Sequence, residues 1–117
     1  MKYFKKEEFA CPCCGENKTK QILMLTIDQL RDAVGQPLTI SSAFRCPKHN
    51  QAVGGKSDSA HLKGLAVDIV CENSRLRFLL IKQAIKLGFV RIGVDFKKFI
   101  HLDMDGEKPI QVIWLYQ

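Results

Sequence analysis

Between Thr19 and Val34 the apolar residues Ile22, Leu23, Leu25, Ile27, Leu30 and Ala33 recur at helical spacing, and Gly35 with Pro37 ends the pattern. This spacing predicts an amphipathic helix with one buried face. A second is expected over Ser74–Leu87, opened by Asn73 or Ser74 and stopped by Gly88. Five short runs have strand character: Leu38–Ile40, Leu65–Val70, Arg91–Val94, Phe99–Met104 and Gln111–Tyr116. After the first of these, Ser41–Pro47 reads as a polar loop carrying Arg45, and a short helical turn is expected from Pro47 to Val53. Gly54-Gly55-Lys56-Ser57-Asp58-Ser59 is dense in turn-forming residues and predicts a surface loop, the kind of segment that often borders an active site. No repeat, linker or low-complexity tract interrupts this order.

Two of the strands carry polar residues that burial would penalise. Leu65, Val67, Ile69 and Val70 surround Asp68, and a buried carboxylate costs several kcal/mol unless a cation or strong donors compensate it. A metal ion would do so, and His61 stands just before the same strand. In Phe99–Met104 the alternation is strict, so Ile100, Leu102 and Met104 face one side while His101 and Asp103 face the other. Their Cα atoms are then roughly 6.5–7 Å apart, near enough for one side chain to bind a metal and the other to reach its water. Two histidines and a carboxylate, with a fourth position open, form one of the ligand sets of catalytic zinc.

A chain of 117 residues is long enough for one hydrophobic core and too short for two, so residues 1–117 are read as a single domain. With 46% hydrophobic and 26% charged residues it falls among chains that fold, not among disordered ones. The net charge of +6 favours an anionic partner, either nucleic acid or an anionic cell wall. Nucleic acid is disfavoured because the basic residues are scattered and not interleaved with aromatics. The opening MKYFKKEEFA lacks the apolar stretch of a secretory signal, and no segment is apolar enough to span a bilayer; synthesis in the cytoplasm and no membrane association are expected.

The residues that carry the chemistry also carry a resemblance. Ser41-Ser42-Ala43-Phe44-Arg45-Cys46-Pro47, His49-Asn50, Val53-Gly54-Gly55, Ser59-x-His61-x-x-Gly64-x-Ala66-x-Asp68-Ile69 and Phe99-Ile100-His101-x-Asp103 together resemble the zinc D-alanyl-D-alanine carboxypeptidase family of metallopeptidases. The likeness is strongest to its small, often phage-encoded carboxypeptidases and peptidoglycan endopeptidases. It implies a small α+β fold of the Hedgehog/DD-peptidase type, an antiparallel sheet of about four strands with helices packed on one side. It also implies His61, Asp68 and His101 as zinc ligands, Arg45 facing the substrate, Ser59 beside it, and a peptidoglycan peptide cut by a monomer. A lysis enzyme released through a separate pore and a virion component both suit that setting. Some relatives place an acidic general base three residues before the last histidine, where this chain has Lys98. Asp103 is then the first choice of base and Asp95 the second, while Asp103 is equally suited to orient His101.

Five cysteines, an odd number in a chain made in a reducing compartment, argue against a disulfide framework. Cys11-x-x-Cys14-Gly15 and Cys46-x-x-His49 are each spaced like half a structural zinc site and together would supply three cysteines and one histidine. The alternative is a set of reduced, partly buried thiols.

Overall fold

A computed structural model of the chain describes residues 1–116. Along these residues run α1 (Gln21–Val34), β1 (Ile40–Ser42), α2 (Pro47–Ala52), β2 (Ala66–Val70), α3 (Ser74–Lys86), β3 (Arg91–Asp95), β4 (Phe99–Asp103) and β5 (Val112–Leu115), with 3₁₀ turns at Lys6–Phe9 and Ala60–Lys63. The fold is α+β, as expected.

The helices end where the local chemistry says they should. The Gly35 amide closes α1 on the Arg31 carbonyl, and the Asn73 side chain accepts the Leu76 N–H at 2.8 Å to open α3. The buried stripe of α1 is Leu23, Ile27, Leu30 and Val34, with Met24 beside it; Ile22, Leu25 and Ala33 point outward instead of joining that face. Apolar residues lie on more than one side of this helix, so periodicity alone does not select the stripe that meets the sheet.

The strand order is β1-β2-β4-β3-β5. The first four strands pair antiparallel, matching the expectation, whereas β5 lies parallel to β3 and makes the sheet five-stranded and mixed. Because β3 and β4 form a hairpin, the far edge of β3 is open; the chain turns back after β4 and runs along it. β1 begins at Ile40, not Leu38, pairing Ile40 with Ile69 and Ser42 with Asp68. Leu38 is buried but lies outside the ladder.

Strand parity divides the molecule into a core side and a polar side. Val67 and Ile69 of β2, Ile92 and Val94 of β3, and Ile100 and Leu102 of β4 pack against Leu23, Ile27 and Leu30 of α1 and Leu80 and Ala84 of α3, so both long helices cover one face. Phe4 and Phe9 of the N-terminal arm join the same core. The alternate residues Asp68, His101, Asp103, Arg91, Gly93 and Trp114 fall on the other face. Among the described residues no helix is long and apolar enough to cross a membrane.

Candidate active site

Asp68 and His101 are direct partners across the β2–β4 ladder, and His101 and Gly93 across β4–β3. His61 approaches from outside the sheet on the Ala60–Lys63 turn, whose first amides are capped by Ser59: its Oγ accepts the His61 N–H at 3.2 Å. Gly64 ends that turn at φ 71°, and a Cβ there would run into the Lys18 carbonyl, so the close crossing of the N-terminal arm requires glycine.

Three donor atoms converge. His61 Nε2 is 3.4 Å and His101 Nδ1 2.9 Å from Asp68 Oδ1, and the three ligating atoms all lie within 4.8 Å of one another. The outward nitrogens are occupied: His61 Nδ1 donates to the Ala43 carbonyl at 2.6 Å, and His101 Nε2 donates to Asp103 Oδ2 at 2.7 Å. With a cation between the three residues, these bonds would select the neutral tautomers whose lone pairs face inward. All three residues are buried, between 3% and 7% exposed, and a cation shared by the carboxylate and the two imidazoles would offset the cost of burying that charge. Zinc with ligands at about 2.1 Å sets tetrahedral donors about 3.4 Å apart, so this donor set fits that ion.

Electrostatics point the same way. Burial opposes charge on Asp68, yet hydrogen bonds from His101 and His61 hold its carboxyl far below the usual carboxylate range. Burial also opposes charge on His101, but Asp103 and Asp68 on either side raise its pKa.

Around the triad is an open cleft of about 490 Å³ whose lining includes Arg45, Ser59, Arg91, Trp114 and Tyr116. Arg45 extends from the segment after β1, with Nε donating to Ser42 Oγ at 3.1 Å, Nη1 to Asn50 Oδ1 at 3.2 Å and Nη2 to Asp68 Oδ2 at 3.5 Å. Buried Asn50 also donates to the Lys56 carbonyl at 2.9 Å, tying the arginine to the glycine-rich loop. On the other side the Trp114 ring lies 5.4 Å from the His101 ring and under the Arg91 guanidinium. Gly93 makes this possible: a Cβ at that position would meet atoms of both Trp114 and Tyr116 at 2.7 Å. The Tyr116 phenol is pushed up to about 12 by burial and by the Asp68 charge.

Arg45, Ser59, His61, Asp68, His101 and Asp103, all expected from the sequence, therefore line one cleft. Asp95 does not. Its Oδ1 accepts the Lys97 and Lys98 amides at 3.0 Å each and closes the β3–β4 turn. Sequence reasoning missed Arg91, Trp114, Tyr116 and Asn50; alternation along β5 groups Trp114 with Tyr116, but nothing in the chain says which face of the sheet they join. The cysteine half-sites also meet, though in a different combination: Cys13, not His49, completes the group of Cys11, Cys14 and Cys46. His49 offers its backbone N–H to Cys46 Sγ instead.

The family model described as Peptidase M15 matches residues 2–103, a span that holds Arg45, all three candidate ligands and Asp103 and ends before β5. A comparison with curated proteins finds none that matches. The chain thus belongs to the peptidase M15 family of zinc metallopeptidases of the D-Ala-D-Ala carboxypeptidase type.

Proposed function

We propose that this chain is a monomeric zinc hydrolase that cuts an amide bond in the stem or cross-link peptides of peptidoglycan, with His61, Asp68 and His101 as the metal ligands. The observation that carries this reading is the convergence of His61 Nε2, Asp68 Oδ1 and His101 Nδ1 in a cleft, each imidazole held from behind by a separate acceptor. Zinc bound there would supply a Lewis acid and a water of lowered pKa. The protein supplies the rest. His61 gives its Nδ1 proton to the Ala43 carbonyl and presents the bare Nε2. Asp103 holds the Nε2 proton of His101 and so turns Nδ1 inward. Of its two candidate roles we assign Asp103 this one, because its oxygens are also engaged by Arg91 Nε at 3.2 Å and the Asp105 amide at 3.0 Å.

Arg45 directs a planar fork of donors into the cleft beside Asp68, suited to a peptide carboxylate or to the oxyanion that develops on the cleaved carbonyl. Ser59 lines the same wall, and its O–H is the donor we assign to the substrate backbone. Trp114 and Tyr116 form an aromatic wall opposite. The positive charge of the chain favours approach to an anionic wall, which suits either a phage lysis enzyme or a virion component.

A second reading has one observation behind it. Lys98 stands three residues before His101, and Asp103 is already committed to three donors, so a chain that kept the metal and lost the chemistry would be a zinc-containing wall-binding module. Mass spectrometry of purified peptidoglycan incubated with the protein separates the two. New peptide ends that disappear with a chelator, return with zinc and are absent with His61→Ala support the peptidase, and their positions identify the bond. Binding with no new ends rejects hydrolysis and leaves the module.

A further inference from the structure

Away from the cleft, four cysteines crowd around one point. The Sγ atoms of Cys11, Cys13, Cys14 and Cys46 all lie within 4.8 Å of one another, with Cys11–Cys13 at 3.6 Å and Cys13–Cys46 at 3.3 Å. All four are free thiols. Four sulfurs at about 2.3 Å from a zinc ion stand about 3.8 Å apart in a tetrahedron, close to the spacing observed here.

The backbone is folded to make this cluster. The Cys11 N–H donates to the Glu16 carbonyl at 2.7 Å and the Gly15 N–H to the Cys11 carbonyl at 2.8 Å, closing a tight turn that brings three sulfurs to the same side. Cys46 comes from a different part of the chain, immediately before α2. Two main-chain donors are aimed at sulfur: the Cys46 N–H at Cys11 Sγ, 3.5 Å, and the His49 N–H at Cys46 Sγ, 3.4 Å. Such donors stabilise thiolates and orient them on a metal. Packing does not account for the group, since Cys13 and Cys14 are exposed, Cys46 is half-buried and only Cys11 is buried.

We propose that Cys11, Cys13, Cys14 and Cys46 bind a second zinc ion in a closed four-thiolate site with a structural role, separate from the hydrolytic centre. Four sulfur donors in tetrahedral array select zinc over the hard divalent cations, and a full set of protein ligands leaves no position for water. Binding releases the thiol protons and cross-links the N-terminal arm to the segment after β1. That segment is the one that presents Arg45, whose N–H donates to the His61 carbonyl at 3.3 Å, while the Phe44 N–H donates to the Phe9 carbonyl at 3.0 Å. The second ion thus holds Arg45 and the His61 turn in register through a connection about which the catalytic face is built.

The test uses the full chain purified under reducing conditions from zinc-supplemented medium. Elemental analysis is expected to give about two zinc ions per chain in the wild type, about one in Cys46→Ser and about one in His61→Ala. Cobalt exchanged into the wild type and into His61→Ala should show a sulfur-to-cobalt charge-transfer band in the near ultraviolet, lost in Cys46→Ser. If Cys46→Ser fails to fold, the exposed Cys13→Ser serves in its place and should weaken that band. No charge-transfer band in the cobalt wild type overturns the site. So does a mass showing two hydrogens lost per cysteine pair, with no second metal. Failure of the hydrolytic centre alone would leave the cobalt–sulfur band intact, so the two readings fail separately.

Discussion

Replacing Asp103 with asparagine distinguishes an orienting carboxylate from a general base. Asp103 is 1% exposed and receives His101 Nε2 at 2.7 Å, Arg91 Nε at 3.2 Å and the Asp105 amide at 3.0 Å. Asparagine keeps the shape but removes the charge and leaves one oxygen to serve donors that now use two. A hydrogen bond to a charged group contributes about 1.5–3 kcal/mol. Removing the outer partner of a zinc-binding imidazole costs about 10–100-fold in metal affinity, or about 1.4–2.8 kcal/mol at 1.4 kcal/mol per tenfold. The two routes agree, so Asp103→Asn should bind zinc in the cleft about 10–100-fold more weakly. Competition with a chromogenic chelator at neutral pH measures this, followed by turnover at saturating zinc, where much of the activity should return. The reasoning is refuted if zinc affinity is unchanged while turnover at saturating zinc falls by about 10²–10⁴, the loss expected for a general base.

Gly93→Ala should raise KM several-fold and lower the melting temperature, because the new methyl meets Trp114 and Tyr116 at 2.7 Å and overpacking costs about 1–3 kcal/mol; zinc content should not change, and an unaltered KM would count against the aromatic wall. Asn50→Ala removes the acceptor of Arg45 Nη1 and the donor to the Lys56 carbonyl. It should lower kcat/KM and cost about 1–3 kcal/mol in urea unfolding, whereas a loss of stability with full kcat/KM would dissociate Asn50 from Arg45. Asp28 tests pH linkage outside the cleft: partial burial opposes its charge, but the Lys2, Tyr3 and Phe4 amides hold its carboxyl below the ordinary value. A depressed folded-state pKa gives stability that is complete above the unfolded value of about 3.9 and is lost as pH falls through the folded one. Asp28→Asn should therefore be about 1 kcal/mol less stable at pH 7, and the two unfolding curves should converge in acid; a constant gap would contradict the linkage.

The elements most legible in the chain were those whose chemistry is local. Asn73 marks the start of α3 by its own side chain, and the alternation in Phe99–Met104 places His101 and Asp103 together because strand period is a backbone property. Asp68 was conspicuous because nothing in its own strand compensates a carboxylate. What stayed hidden depends on contacts between distant segments. Ile22 and Leu25 have the same apolar character as Leu23, and only the packing of α1 on the sheet excludes them. Gln111–Tyr116 reads as a strand, yet no residue in it encodes a parallel seat beside β3, and without that seat Trp114 has no reason to be placed next to His101. The half-site spacing of Cys46 and His49 is a true signal of convergence with Cys11 and Cys14, but the turn at Gly15 brings in Cys13 while the imidazole of His49 stays out of the group.

Diffraction from crystals grown with zinc, recorded on both sides of the zinc absorption edge, tests the shared metal most directly. The account predicts an anomalous peak about 2.0–2.2 Å from each of His61 Nε2, Asp68 Oδ1 and His101 Nδ1. A cleft with no such peak, in crystals where zinc is bound elsewhere on the chain, would contradict it.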